Sequence, residues 1–194
     1  MTVKLVGSSS GSVSLQAPAS TTGGAHRIIT LPDRNQVGLG SVLQVKQTVK
    51  TDTASTSSTS FADVFTVSIT PTAATSKFLL TGDLKIGYSS YSASVMWKFV
   101  RDSTDLFIGD ADGNRTRCTW GIEDTSDSSN DARFHVASTH GTFLDSPNTT
   151  SAITYRVQWS AQQNTGYLNR TGDDTNGLAY PRAASSLTVM EIAA

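Results

Sequence analysis

A single cysteine, Cys118, in 194 residues excludes any intrachain disulfide. Long apolar runs are missing too. Nothing approaches the ~20 residues of a membrane-spanning helix, and the opening Met-Thr-Val-Lys-Leu-Val-Gly lacks the apolar stretch of a secretory signal. That predicts release, if any, by a route other than ordinary secretion, such as assembly into a particle freed by lysis. Charged residues make up only 16%, with 15 basic against 16 acidic, and a net charge of −1 offers no electrostatic ground for nucleic acid or a membrane as partner. Helical periodicity is absent as well: nowhere do apolar residues recur at spacings of three and four over three turns.

What is present is alternation. Ile153, Tyr155, Val157 and Trp159 alternate with Thr154, Arg156 and Gln158, which predicts a strand buried on one face. The chain then turns through Asn164-Thr165-Gly166, passes Tyr167 to Thr171, loops to Gly177 and ends in the strand pattern Ser185 to Ile192. Phe65, Val67 and Ile69 share one face of an earlier run, as do Phe78, Leu80, Leu84 and Ile86. Ala93 to Arg101 is more continuously apolar, which predicts a central strand covered on both sides. Trp97 and Trp159 fall within these patterns and read as core. Phe134 to Val136 and Thr142 to Leu144 complete the set.

The first fifty residues are thinner. Val3 to Val6, Val13 to Gln16 and Arg27 to Leu31 are brief β-like runs, followed by a longer one in which Leu43, Val45 and Val49 oppose Gln44, Lys46, Thr48 and Lys50. No such set stabilises itself in water, so it is expected to pack on a partner subunit or a larger assembly. Eight of the ten residues from Thr51 to Ser60 are Ser or Thr, too little apolar surface to offset ordering entropy. The expected organisation is an amino-terminal β module over 1–50, a linker over 51–60 and a jelly-roll sandwich over 61–194, all-β throughout.

Chemical motifs are weak. Gly7-Ser8-Ser9-Ser10-Gly11 has the letters of a hydrolase nucleophile elbow, but strand-like residues follow it where a helix is required. Asp110 to Asn114 begins like a calcium loop, yet Arg115 and Gly121 occupy the positions that call for Gly and Glu. Looser oxygen clusters at Asp173, Asp174 and Asn176, or Glu123, Asp124 and Asp127, read better as solvated turns. His26, His135 and His140 are too scattered for zinc, and no carboxylate pair suggests acid–base catalysis. Three Asn-x-Thr triplets begin at Asn114, Asn148 and Asn169, expected to be unmodified without secretion. No enzyme activity and no cofactor are expected. The candidate interface or ligand-facing residues are Trp120, Tyr167, Asn169, Arg170 and Tyr180, aromatic or polar groups near loops that can stack on a sugar or a neighbouring subunit.

Two stretches carry a resemblance. Lys4 to Ser8, Gly11 to Ala19 and Arg27 to Asp33 resemble the amino-terminal module of structural proteins from tailed bacteriophages. Trp97 to Asp102, Phe143 to Pro147, Tyr155 to Trp159, Tyr167 to Arg170 and Ser185 to Ile192 resemble the jelly-roll heads of such proteins, which are similar to the trimeric tumour-necrosis-factor and complement globular-head fold. The resemblance implies a homotrimer on the virion, as a capsid decoration (cement) protein bound to the major capsid protein, or else a short tail fibre held by tail proteins and recognising host-surface glycan. The lack of any stem repeat or heptad favours decoration.

Overall fold

The computed structural model describes residues 2–6, 12–16, 38–90, 93–123 and 133–194. It divides into two compact units, Met1–Gln36 and Val37–Ala194. In the first, β1 (Thr2–Val6) and β2 (Ser12–Gln16) form an antiparallel pair in which Val6 opposes Ser12. The glycine-serine motif at 7–11 and the run expected at Arg27 to Leu31 lie outside the described residues.

The second unit is built from β3 (Val42–Lys50), β4 (Ala54–Thr56), β5 (Ala62–Ile69), β6 (Lys77–Tyr88), β7 (Ser94–Arg101), β8 (Thr104–Leu106), β9 (Trp120–Glu123), β10 (Val136–Asp145), β11 (Ile153–Gln163), β12 (Gly166–Leu168) and β13 (Ser185–Ile192). The pairings resolve into two sheets of four ranks. Strand β6 pairs β10 along one edge, while β13 and then β12 share its other edge. Strands β3 and β4 lie outside β13 and β12 respectively. The second sheet runs β5, β11, β7, with β8 and β9 sharing the far edge of β7. Apart from β7 to β8 and β9, which stay within one sheet, successive ranks along the chain alternate between the sheets, and this crossing and recrossing is the jelly roll expected from the sequence.

The inner faces supply the core. Phe78, Leu80, Leu84, Ile86, Leu187 and Val189 from the first sheet meet Phe65, Val67, Val95, Trp97, Phe99, Tyr155 and Val157 from the second, all essentially inaccessible to water. Each comes from a period-two run, so the alternation legible in the sequence is the alternation of the pleat. Two polar links between side chains bridge the sheets through the core. The Trp97 indole donates to Thr139 Oγ1 at 2.9 Å, and that hydroxyl donates to the Leu84 carbonyl. Arg101 Nη1 donates to both oxygens of Asp145 at 2.7 and 2.8 Å, while Tyr155 Oη donates to Asp145 Oδ2 at 2.8 Å. Burial, reinforced by the Asp145 charge, pushes the Tyr155 phenol well above its ordinary value.

Three expectations change. The boundary lies before Val37 rather than at residue 50, because β3 takes its hydrogen-bond partner, β13, from the end of the jelly roll. The Ser/Thr-rich stretch is not all linker: β4 pairs β12 there, and Asn169 Nδ2 donates to the carbonyls of Lys50 and Asp52 at 2.8 and 2.9 Å. Backbone pairing supplies order that side-chain burial does not. Strand β7 is covered on one face only, with Met96 and Lys98 half-buried on the other, although Val100 on that face is buried.

Candidate assembly surface

The register of the first sheet determines what its outer face presents. Leu187, Val189 and Glu191 of β13 point inward, so Ser186, Thr188, Met190 and Ile192 point outward. Opposed residues share a face in antiparallel pairs. Met190 opposes Val45 of β3 on one side and Leu79 of β6 on the other, and Leu79 opposes Leu144 of β10. Val45, Met190, Leu79 and Leu144 therefore form one apolar row from edge to edge, about 14 Å wide at the usual strand spacing. Ile192 and Val42 extend it by a second row beside Lys77. Val42, Val45 and Leu144 stand about half exposed, at 55%, 51% and 47%. The inward side of β3 is the polar one. Thr48 Oγ1 donates to the Thr66 carbonyl at 3.0 Å and Gln44 Nε2 to the Thr70 carbonyl at 2.7 Å, lacing the edge of the sandwich shut.

Above the apolar rows the face turns polar, first through Gln47, Thr188, Thr81 and Thr142, then through Val49, Ser186, Asp83 and His140. Lys85 Nζ lies 2.6 Å from Asp83 Oδ1 and 2.6 Å from Ser138 Oγ. His140 Nε2 lies 3.1 Å from Asp83 Oδ1 and 3.4 Å from Ser138 Oγ. These are the residue types of a hydrolytic triad, but serine and aspartate address the same ring nitrogen, whereas a triad histidine needs one nitrogen for each. The cluster is a surface ion-pair network.

The sequence-selected residues scatter. Tyr167 stands on the outer face, opposite Gly87 and Ser55, with the Arg170 guanidinium 3.7 Å over its ring. Arg170 Nη1 also donates to the Thr171 and Gly172 carbonyls. Asn169 is fully buried with a φ of 62°, a left-handed conformation that asparagine tolerates. Its Oδ1 accepts from Ser185 Oγ, so its polar atoms are spent inside the chain. Trp120 opposes Trp97 in register and packs against the core. Tyr180 packs on Phe134 at 5.7 Å.

Of the oxygen-rich loops, Asp112 pairs with Arg115 at 2.9 Å and Asp174 with Arg182 at 2.5 Å. Asp124 and Asp127 lie outside the described residues. Among the described residues no three His, Cys, Asp or Glu side chains gather as metal ligands. His135 and His140 follow one another toward and along β10 and do not meet across a turn. Burial pushes the half-buried Cys118 thiol above its ordinary pKa, away from the reactive thiolate. The apolar row escaped sequence reasoning because Val45, Leu79, Leu144 and Met190 come from four distant segments. Only the valine face of β3 gave any signal.

No protein-family model matches the chain, and no curated protein does. Among solved structures, infectious bursal virus-derived T=1 particles match with a TM-score of 0.40 and 10% identity over 97% of this chain and 48% of that one. The VP2 subviral particle of infectious bursal disease virus matches with a TM-score of 0.36 and 13% identity over 93% and 51%. The chain thus spans about half the length of each, and likeness at this level carries no functional argument.

Proposed function

We propose that this chain is a non-enzymatic structural protein of a bacteriophage virion, and specifically a trimeric decoration protein that binds the outer capsid surface. The apolar row Val45, Met190, Leu79 and Leu144 carries the reading. An exposed sheet face with aligned apolar side chains from edge to edge is a surface that gains by being covered, and contiguous patches of this kind mark interaction sites. The resemblance of the amino-terminal stretch to tailed-phage structural modules supports a virion as the setting.

The test is a reconstitution. Virions stripped of the protein are incubated with the wild-type chain or with a Val45→Lys, Leu144→Lys double variant, and bound copies are counted and imaged. Wild-type protein is expected to coat the shell in proportion to its subunits and the variant to be lost from it. Localisation at the tail in a few copies would overturn decoration. It would favour a short receptor-binding knob, which the Tyr167–Arg170 stack and the Phe134–Tyr180 pair support as aromatic surfaces for host glycan. Mass photometry reads the trimer directly.

A further inference from the structure

We propose that β10 is a self-pairing edge: it adds antiparallel to β10 of a second copy, about a two-fold axis at His140. The inference does not depend on where in a virion the protein works. Strand β10 uses one edge to pair β6, and among the described residues no backbone hydrogen bond reaches its other edge. It is ten residues long and in unbroken register, and from Val136 to Leu144 it contains no proline, lysine, arginine or carboxylate. Exposed edges of this kind template pairing, and folded proteins normally blunt them. The other edges here are blunted. Strand β3 carries Lys46 and Lys50, its register with β13 shifts at Glu191/Ile192, and its side chains are tied to β5. Strand β5 faces a register shift at Val157/Gln158 and its Thr66 carbonyl is already engaged, while β4 and β8 are only three residues long and β9 four.

The sequence of β10 is also a palindrome of character. With His140 on the axis, Val136 opposes Leu144 of the other copy, Ala137 opposes Phe143, Ser138 opposes Thr142 and Thr139 opposes Gly141. Apolar residues meet apolar ones and hydroxyls meet hydroxyls, the pairs that favour antiparallel strands. Moving the axis to Gly141 sets Leu144 against Ser138 and Phe143 against Thr139, and both apolar pairs are lost. The His140 register also continues the outer row, so that Val45, Met190, Leu79 and Leu144 lead on to Val136 of the second copy. Asp83 and Lys85, the charged groups beside His140, neutralise each other within each copy at 2.6 Å. A second copy therefore brings no opposed like-charged carboxylates or ammonium groups.

The test uses the full chain in native mass spectrometry at high micromolar concentration. Wild-type protein is expected at twice the particle mass of a His140→Lys variant, which sets two ammonium groups against each other on the axis. The His140 side chain is 62% exposed, so the variant should keep the wild-type circular dichroism. If it does not, Thr142→Lys, also at an exposed position, takes its place. In a Cys118→Ser background, His140→Cys is expected to cross-link to itself under mild oxidation, because directly opposed strand residues stand within disulfide reach. Thr142→Cys alone should not cross-link, and Ser138→Cys with Thr142→Cys should. Equal masses for wild type and the lysine variant, or equal cross-linking at positions 140 and 142, would overturn the pairing.

Discussion

The two outer faces of the sandwich differ although their inner faces are alike. The outer face of the β5–β11–β7 sheet is solvated: Arg156 pairs with Asp63 at 3.3 Å, Lys98 with Asp105 at 2.7 Å, Gln158 donates to Asp63, and Ser68 and Thr154 share a hydroxyl contact. The outer face of the β3–β13–β6–β10 sheet has comparable polar residues in its upper half only, and its lower half is the apolar row. Both sheets obey period two, so the fold requires only that one face of each be apolar. What the second face carries is free to serve a partner. The asymmetry therefore bears on the proposed assembly, whereas the shared inner faces speak of stability.

The largest effect should come from breaking what the two sheets share. Trp97 is fully buried, lies edge-on to Phe99 at 5.2 Å, and its indole binds Thr139 of the opposite sheet. Trp97→Ala is expected to cost about 3–5 kcal/mol, chiefly through cavity formation, since the Thr139 hydroxyl keeps its bond to the Leu84 carbonyl, measured by urea unfolding. Next comes the other bridge. Asp145→Ala strands the Arg101 guanidinium and the Tyr155 hydroxyl, and with Arg101 part-exposed the expected loss is about 2–3 kcal/mol. Asp145→Asn, which can still accept one hydrogen bond, should lose less. A neutral result for both variants would show that the Asp145 bridge adds nothing to what apolar packing and the other polar links already supply.

How much of this was legible in the sequence follows from the distance over which each feature is specified. Ile153, Tyr155, Val157 and Trp159 announce their strand and its buried face within seven residues, because the pleat is local. The jelly-roll class followed from such runs. Asn169 was misjudged from its neighbours: between Leu168 and Arg170 it reads as a loop polar group, yet it pins Lys50, Asp52 and Ser185 from segments more than a hundred residues earlier and sixteen later. Trp120 borders a polar loop in sequence and becomes core only through its register with Trp97. The apolar row is the extreme case, since register across four strands is set by the whole fold and by bulges no local pattern encodes.

A smaller effect tests where the two sheets meet at β3. Glu191 is fully buried, and among the described residues no cation pairs with it. Burial raises its pKa, but the neighbouring Ser76 hydroxyl and hydrogen bonds from Thr72 and Gln44 outweigh this and hold the carboxyl below the ordinary glutamate value. A carboxyl with a depressed folded pKa contributes stability that is fully present above the unfolded value and is lost as pH falls through the folded one. Stability should therefore be flat in this term at neutral pH and decline below the ordinary glutamate range. Glu191→Gln is expected to cost about 1–2 kcal/mol at neutral pH and to flatten the acid slope. An unchanged acid slope in that variant would assign the decline to other carboxylates.

The smallest effect on stability should separate the two outer faces most clearly. Val45 and Leu144 are half exposed at opposite ends of the apolar row, so lysine at either position should change stability by no more than about 1 kcal/mol, the usual scale for surface strand positions. Thr154→Lys on the solvated face should fall in the same range. Binding of a hydrophobic dye is the contrasting readout, because it reports accessible apolar surface rather than folding. The Val45→Lys, Leu144→Lys variant should lose most of the dye fluorescence of the wild type, whereas Thr154→Lys should keep it. Equal dye binding by the two variants would mean that the row is already covered by another copy or offers no continuous surface. Repeating the measurement across a dilution series decides between these, since dissociating the copies raises the signal only if one of them was covering the row.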